Sequence, residues 1–76
     1  MYEDEESTLM EVTDDGLRLT LLDGSQWEVQ PEDMPTILTW TPTSHILIRL
    51  IDSESVWPYE LTNSGIDVSV RAMQVG

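Results

Sequence analysis

The residues able to do chemistry are few and mostly acidic. Asp14-Asp15 and Glu32-Asp33 are paired carboxylates. Such groups serve as general acid and general base when two of them face each other across a groove. Here each pair is adjacent in sequence and sits in a turn context, where carboxylates are normally solvated. His45 is the single histidine, and the chain has no cysteine. It has neither the ligand spacing of a zinc site nor a Ser-His-Asp order, so a place at a strand end is expected of it. Oxygen ligands for calcium are plentiful, but the Asp-x-Asp-x-Asp-Gly loop is missing. With no nucleophile–base pair, phosphate loop or cofactor motif, the chain reads as a non-enzyme that holds no cofactor and no metal.

The aromatic residues point to binding instead. Trp27 and Trp57 fall on the apolar faces of alternating segments, so both are expected in the core. Trp40 stands between Thr39 and Thr41, beside Pro42, and is the first choice for a partly exposed contact; Tyr59 is the second. The partner-binding residues read from the sequence are therefore Trp40, Tyr59, Asp14, Asp15, Glu32 and Asp33.

Charge narrows the partner. The 76 residues carry 15 Asp and Glu against three Arg, for a formal net charge of −12. Three scattered Arg cannot neutralise a phosphate track, which argues against direct nucleic-acid binding and against docking on an anionic membrane. No apolar run approaches the ~18–20 residues of a membrane span. The start, Met-Tyr-Glu-Asp-Glu-Glu, is the opposite of a basic leader followed by an apolar run, so a cytoplasmic location is expected. Residues 1–8 read as a flexible acidic tail and residues 9–76 as one small domain. The acidic surface has a plain reading, solubility, including the high-salt solubility of halophilic proteins.

The elements that must position these residues are strands. Leu17, Leu19 and Leu21 alternate with Arg18 and Thr20, the period of a half-buried strand. Asp23-Gly24 predicts a tight type I′ hairpin, and Trp27 and Val29 share one face of its return strand. Before that hairpin, Met10 and Val12 alternate with Glu11 and Thr13, and Asp14-Asp15-Gly16 makes a turn. Pro31 to Met34 predicts a single helical or 3-10 turn, while Thr36 to Trp40 is short, β-branched and ambiguous, with a strand as one reading. His45 to Ile51 is the most strand-like run. Trp57, Tyr59 and Leu61 share a face, with Pro58 suggesting an edge or bulge. Asn63-Ser64-Gly65 predicts a turn with Gly65 left-handed, followed by Ile66, Val68 and Val70 in alternation. Six short strands with turns every roughly 8–12 residues predict an all-β barrel or sandwich, and a small closed barrel is preferred because a flat sheet of this size would leave one apolar face wet. In it Leu19, Trp27, Ile48, Trp57 and Val68 would meet. The segments Leu19 to Trp27 and Ile48 to Trp57 also form a weak internal repeat.

The stretch Leu19-Thr20-Leu21-Leu22-Asp23-Gly24-Ser25-Gln26-Trp27-Glu28-Val29, with Trp40 and the closing Val70-Arg71-Ala72, resembles small uncharacterised bacterial β-barrel proteins. They share an Asp-Gly-Ser-x-Trp hairpin, a second Trp about a dozen residues later and a closing strand. The likeness spans residues 17–72. Many such proteins carry Gly-Asp after the second Trp, where Thr43-Ser44 stands here. The resemblance implies a five- to six-stranded SH3-like barrel of antiparallel hairpins and brings no activity with it.

Two functions follow as expectations. The first is a non-enzymatic acidic protein–protein interaction module whose partner has a basic or apolar surface. An edge strand expected at residues 56–61 could receive a partner's strand, and a homodimer could form through the strand near residues 66–72. The alternative is a nucleic-acid-mimicking inhibitor, for example phage-encoded. It would occupy the basic groove of a nucleic-acid-binding enzyme or defence complex.

Overall fold

Leu, Ile and Val at every second position build most of the architecture. Residues 5–75 are described by a computed structural model. They form β1 (Glu5–Val12), β2 (Arg18–Leu21) and β3 (Gln26–Val29), then a 3-10 turn (Pro31–Asp33) that runs into a one-turn helix, α1 (Met34–Ile37). Strands β4 (His45–Leu50), β5 (Tyr59–Asn63) and β6 (Val68–Val75) follow. Every pairing is antiparallel, and the order β1-β2-β3-β6-β5-β4 closes on itself. The fold is a small SH3-like barrel. Closure buries one face of each strand: Leu19 and Leu21 from β2, Trp27 and Val29 from β3, Ile46 and Ile48 from β4, Leu61 from β5, Val70 and Ala72 from β6.

Strand β1 differs from the sequence reading in two ways. Glu5 to Thr8, expected within a flexible tail, instead pair with Ile48 to His45 of β4; the rest of that expected tail, residues 1–4, lies outside the described residues. The second half of β1 turns onto β2, with a break in register between Leu9 and Glu11. That bulge resets the alternation, so Leu9 rather than Met10 enters the core.

The β2–β3 hairpin is a three-residue loop, not a type I′ turn. The Gly24 N–H donates to Leu21 O, the Leu21 N–H donates to Ser25 O, and only Gly24 takes positive φ, at 90°. In the β5–β6 turn the left-handed residue is Asp67, at φ 55°, rather than Gly65. Trp57 and Pro58 precede β5 and lie in the β4–β5 connection, so Trp57 is half-buried outside the main core. Its carbonyl accepts from Nε and Nη2 of Arg71 at 3.1 and 2.7 Å, which pins that connection to β6. Neither β5 nor β6 is an edge, since β5 pairs with β4 and β6, and β6 with β5 and β3. The strand-addition and edge-dimer routes lose their premise for that reason.

The Thr36 to Trp40 segment is helical and then turns. Pro31 and Pro35 each sit in the first turn of a helical piece, where a missing N–H leaves no intrahelical acceptor unmet. The Leu38 N–H donates to Met34 O and the Trp40 N–H to Ile37 O. This turn drives Ile37 into the core, where it is fully buried, and tertiary burial overrides the β preference of the segment.

Gly16 fits α1 against the β1–β2 turn. It takes φ 73°, and a Cβ there would stand 2.9 Å from Cγ of both Met34 and Leu38. Gly16→Ala is expected to destabilise the domain by about 1–3 kcal/mol, from left-handed strain plus overpacking. An unchanged urea midpoint would show that α1 yields without cost.

Candidate functional site

Two concavities lie at opposite ends of β1. The first forms where the β1–β2 turn meets the segment after α1. It encloses about 350 Å³ and is lined by Glu11, Val12, Thr13, Asp14, Leu38, Trp40 and Pro42. The turn beneath it is held by its own side chains. Thr13 Oγ1 donates to Asp15 Oδ1 at 2.6 Å, the Leu17 N–H donates to the same oxygen at 3.0 Å, and the Arg18 N–H donates to Thr13 Oγ1 at 3.1 Å. These bonds engage Asp15 and leave Asp14 exposed at the rim.

Trp40 forms part of the wall but is only 5% exposed, so the partly exposed contact expected from its polar neighbours is not what forms. The helical turn carries it back toward the barrel. Its Nε1–H is buried without a hydrogen-bond partner among the described residues. Leu38, 52% exposed, is the apolar side chain the groove presents outward.

The second concavity is the open mouth of the barrel near the start of β1. It encloses about 230 Å³ between Glu5, Asp23, Ser25, Trp27, Ile48, Leu50, Tyr59 and Gln74. The rings of Trp27 and Tyr59 meet edge to face, with centroids 5.0 Å apart and planes at 78°. A relay runs outward from the core: Trp27 Nε1–H donates to Ser25 Oγ at 2.9 Å, and Ser25 Oγ–H donates to Asp23 Oδ1 at 2.6 Å. The Ser25 N–H reaches the same Oδ1 at 2.9 Å.

The residues singled out from sequence are thus divided. Trp40 and Asp14 share the α1 groove, and Tyr59 lines the mouth. Asp15 is engaged in its turn. Asp33 Oδ2 accepts the Arg71 N–H at 2.9 Å, which ties the 3-10 turn to β6 and makes Asp33 a structural residue. Glu32 is exposed in the 3-10 turn and lines neither concavity. The paired carboxylates therefore do not converge as a pair. Among the described residues no three His, Cys, Asp or Glu side chains come together to hold a metal ion. Sequence reasoning missed Leu38, Glu5 and the Asp23–Ser25–Trp27 relay. A signal for its outer half was present: in Asp23-Gly24-Ser25 the Asp side chain is spaced to accept from the N–H two residues on, as turn aspartates do.

The two engaged aspartates make a pH prediction. Asp15 and Asp23 both titrate below their ordinary value of 3.8. For Asp15 the main cause is the Thr13 hydroxyl, then the Leu17 N–H; for Asp23 it is the Ser25 hydroxyl, then its N–H. A carboxyl with its pKa lowered by folding stabilises the fold above its unfolded pKa, and that contribution is lost as pH falls through the folded pKa. Stability from these groups is therefore expected to fall below a pH of about 4. Urea unfolding at stepped pH should give the Asp15→Asn/Asp23→Asn double variant a flatter acid limb than the wild type. Parallel limbs would remove both aspartates from the account.

No helix among the described residues is long and apolar enough to cross a membrane. A scan against protein-family models, a search of curated proteins and a search of solved structures each find no match. None of the three bears on the hairpin resemblance.

Proposed function

We propose that this chain is a non-enzymatic protein-interaction module that docks a partner segment bearing both apolar and basic side chains in the α1 groove. The observation that carries the reading is the groove's lining. Val12, Leu38, Trp40 and Pro42 supply apolar surface, and Glu11 and Asp14 stand beside them on a chain of net charge −12. Leu38 stands outside the core cluster and is half exposed although its stem rests on Gly16, and charge complementarity selects a basic partner. Location in the cytoplasm belongs to the same proposal.

The test begins with affinity capture from a lysate of the source organism, at low salt and near half-molar salt. The partner found is then titrated against purified variants. Leu38→Glu is the informative change, because Leu38 is half exposed and outside the core; since its stem packs on Gly16, the melting temperature is measured on the same variant, and affinity is compared at a temperature where both proteins are folded. Affinity for the partner is expected to fall about tenfold or more. Equal affinity in wild type and Leu38→Glu would rule the groove out. Trp40→Ala is a poorer probe, since it opens the core as well.

The charge keeps the nucleic-acid-mimic reading as the second. Exposed acids lie at both ends of the barrel, at Glu5, Glu11, Asp14 and Asp23, whereas the Arg71 guanidinium is engaged by the Trp57 carbonyl. A basic nucleic-acid enzyme captured at low salt and released at half-molar salt, with no effect of Leu38→Glu, would favour the mimic.

A further inference from the structure

The open mouth of the barrel has a lining that the groove reading leaves unused. Glu5 and Asp23 bring two carboxylates to it, and Gln74 brings a side-chain carbonyl. Leu50 and Ile48 form an apolar wall, with the edge-to-face pair of Trp27 and Tyr59 beside it. We propose that this mouth is a binding site for a guanidinium group, the arginine side chain of a partner protein. It is separate from the α1 groove. Glu5 and Glu11 are six residues apart along β1, which places the two sites roughly 20 Å from each other.

Size, charge and acceptor geometry lead to this ligand. At about 230 Å³ the mouth is smaller than the ~300–1,000 Å³ sites that enclose drug-sized ligands, and it has room for a single side chain. Two carboxylates repel an anion, and a neutral group would desolvate them without return. No third His, Cys, Asp or Glu among the described residues joins the two carboxylates to hold a metal ion. A basic side chain answers all three conditions.

Between the two basic side chains, the mouth suits arginine. Its acceptors come from three separate elements, β1, the β2–β3 turn and β6, and guanidinium has five donors in a flat fork to reach them. The fork is weakly hydrated and can lie against the half-buried Tyr59 ring, whereas an ammonium is a compact, strongly hydrated point charge. The relay prepares the acceptor. Both donors from Ser25 go to Oδ1 of Asp23, so its second oxygen has no donor among the described residues. The same relay fixes the Trp27 indole through its N–H, so ring and carboxylate are held in register before any ligand arrives.

The test is a titration of the full-length, isotopically labelled protein with N-acetyl-arginine amide, followed by proton–nitrogen correlation NMR. N-acetyl-citrulline amide is the neutral isostere, and N-acetyl-lysine amide the other cation. A single side chain without a peptide around it is expected to bind with a Kd on the order of 1 mM. Saturable shifts should centre on the Trp27 indole N–H, the Ser25 amide and the Gln74 side-chain amide. Citrulline amide should give none, and lysine amide should bind several-fold more weakly. Glu5→Gln and Asp23→Asn should each weaken the arginine response about tenfold. Glu5→Gln guards against misfolding, since it leaves the Asp23–Ser25–Trp27 relay intact. The assignment is overturned by a citrulline or lysine response equal to that of arginine, by shifts centred on Trp40, or by no saturable shift. Tighter binding of free arginine than of the blocked amide would overturn the assignment to a protein partner. The Leu38→Glu variant should titrate like wild type, so this site and the α1 groove stand or fall separately.

Discussion

Trp27→Ala is expected to remove about 3–5 kcal/mol of stability, a large share of the total for a chain of this length. A 76-residue domain has a total stability of only about 4–11 kcal/mol at typical per-residue values. Trp27 is 3% exposed, lies opposite Leu19 on β2 and Gln74 on β6, and meets the Tyr59 ring at 5.0 Å. Alanine would open a cavity at the junction of three strands, end the ring contact and leave Ser25 Oγ without its indole donor. Trp27→Phe separates these effects, because it keeps a ring against the core and loses the N–H. It should cost less than half as much, with the hydrogen bond accounting for about 0.5–1.5 kcal/mol. Urea unfolding followed by circular dichroism reads both variants. A loss below about 1 kcal/mol for Trp27→Ala would mean that the core repacks without this ring.

Ile37→Ala is expected to cost about 2–5 kcal/mol, and Ile37→Val about 0.5–1.5 kcal/mol. Ile37 is fully buried, yet it comes from α1 and not from the sheet. It fills space that the strands alone do not fill, so its truncation should lower global stability and loosen the α1 groove together. Amide exchange distinguishes this from local opening. If Ile37 is part of the core, protection at Leu61 and Val70 should fall along with that at Leu38 and Trp40. If only Leu38 and Trp40 lose protection, α1 is a separable lid and the groove is a mobile feature.

The strands were readable because their signals are local. Leu19 and Leu21, Trp27 and Val29, and Ile46 and Ile48 each lie two residues apart, and each pair is buried. The 3-10 turn at Pro31 follows from a residue with fixed φ and no N–H. The readings that failed depend on what lies across the barrel. Met10 matches the alternation as well as Leu9 does, and only pairing with two different strands forces the bulge that chooses Leu9. Trp40 looked exposed because Thr39, Thr41 and Pro42 flank it, but its burial comes from chain that follows α1 back to the barrel. Asp15 and Asp33 looked like contact residues until their hydrogen-bond donors were located, one of them 38 positions away.

By itself the sequence determined an all-β chain of short antiparallel strands, its high negative charge, and the turn residues that break it into hairpins. These depend on side-chain period, on φ preference and on formal charge, which each residue carries wherever it is placed. Tertiary structure decided closure, the burial of Ile37 and Trp40, and the meeting of Glu5, Asp23, Trp27, Tyr59 and Gln74 in one mouth. Those five residues span nearly the whole chain, and they converge because six strands pair around a ring. The ring fixes its register only when β4 bonds β1, so no local pattern could state it.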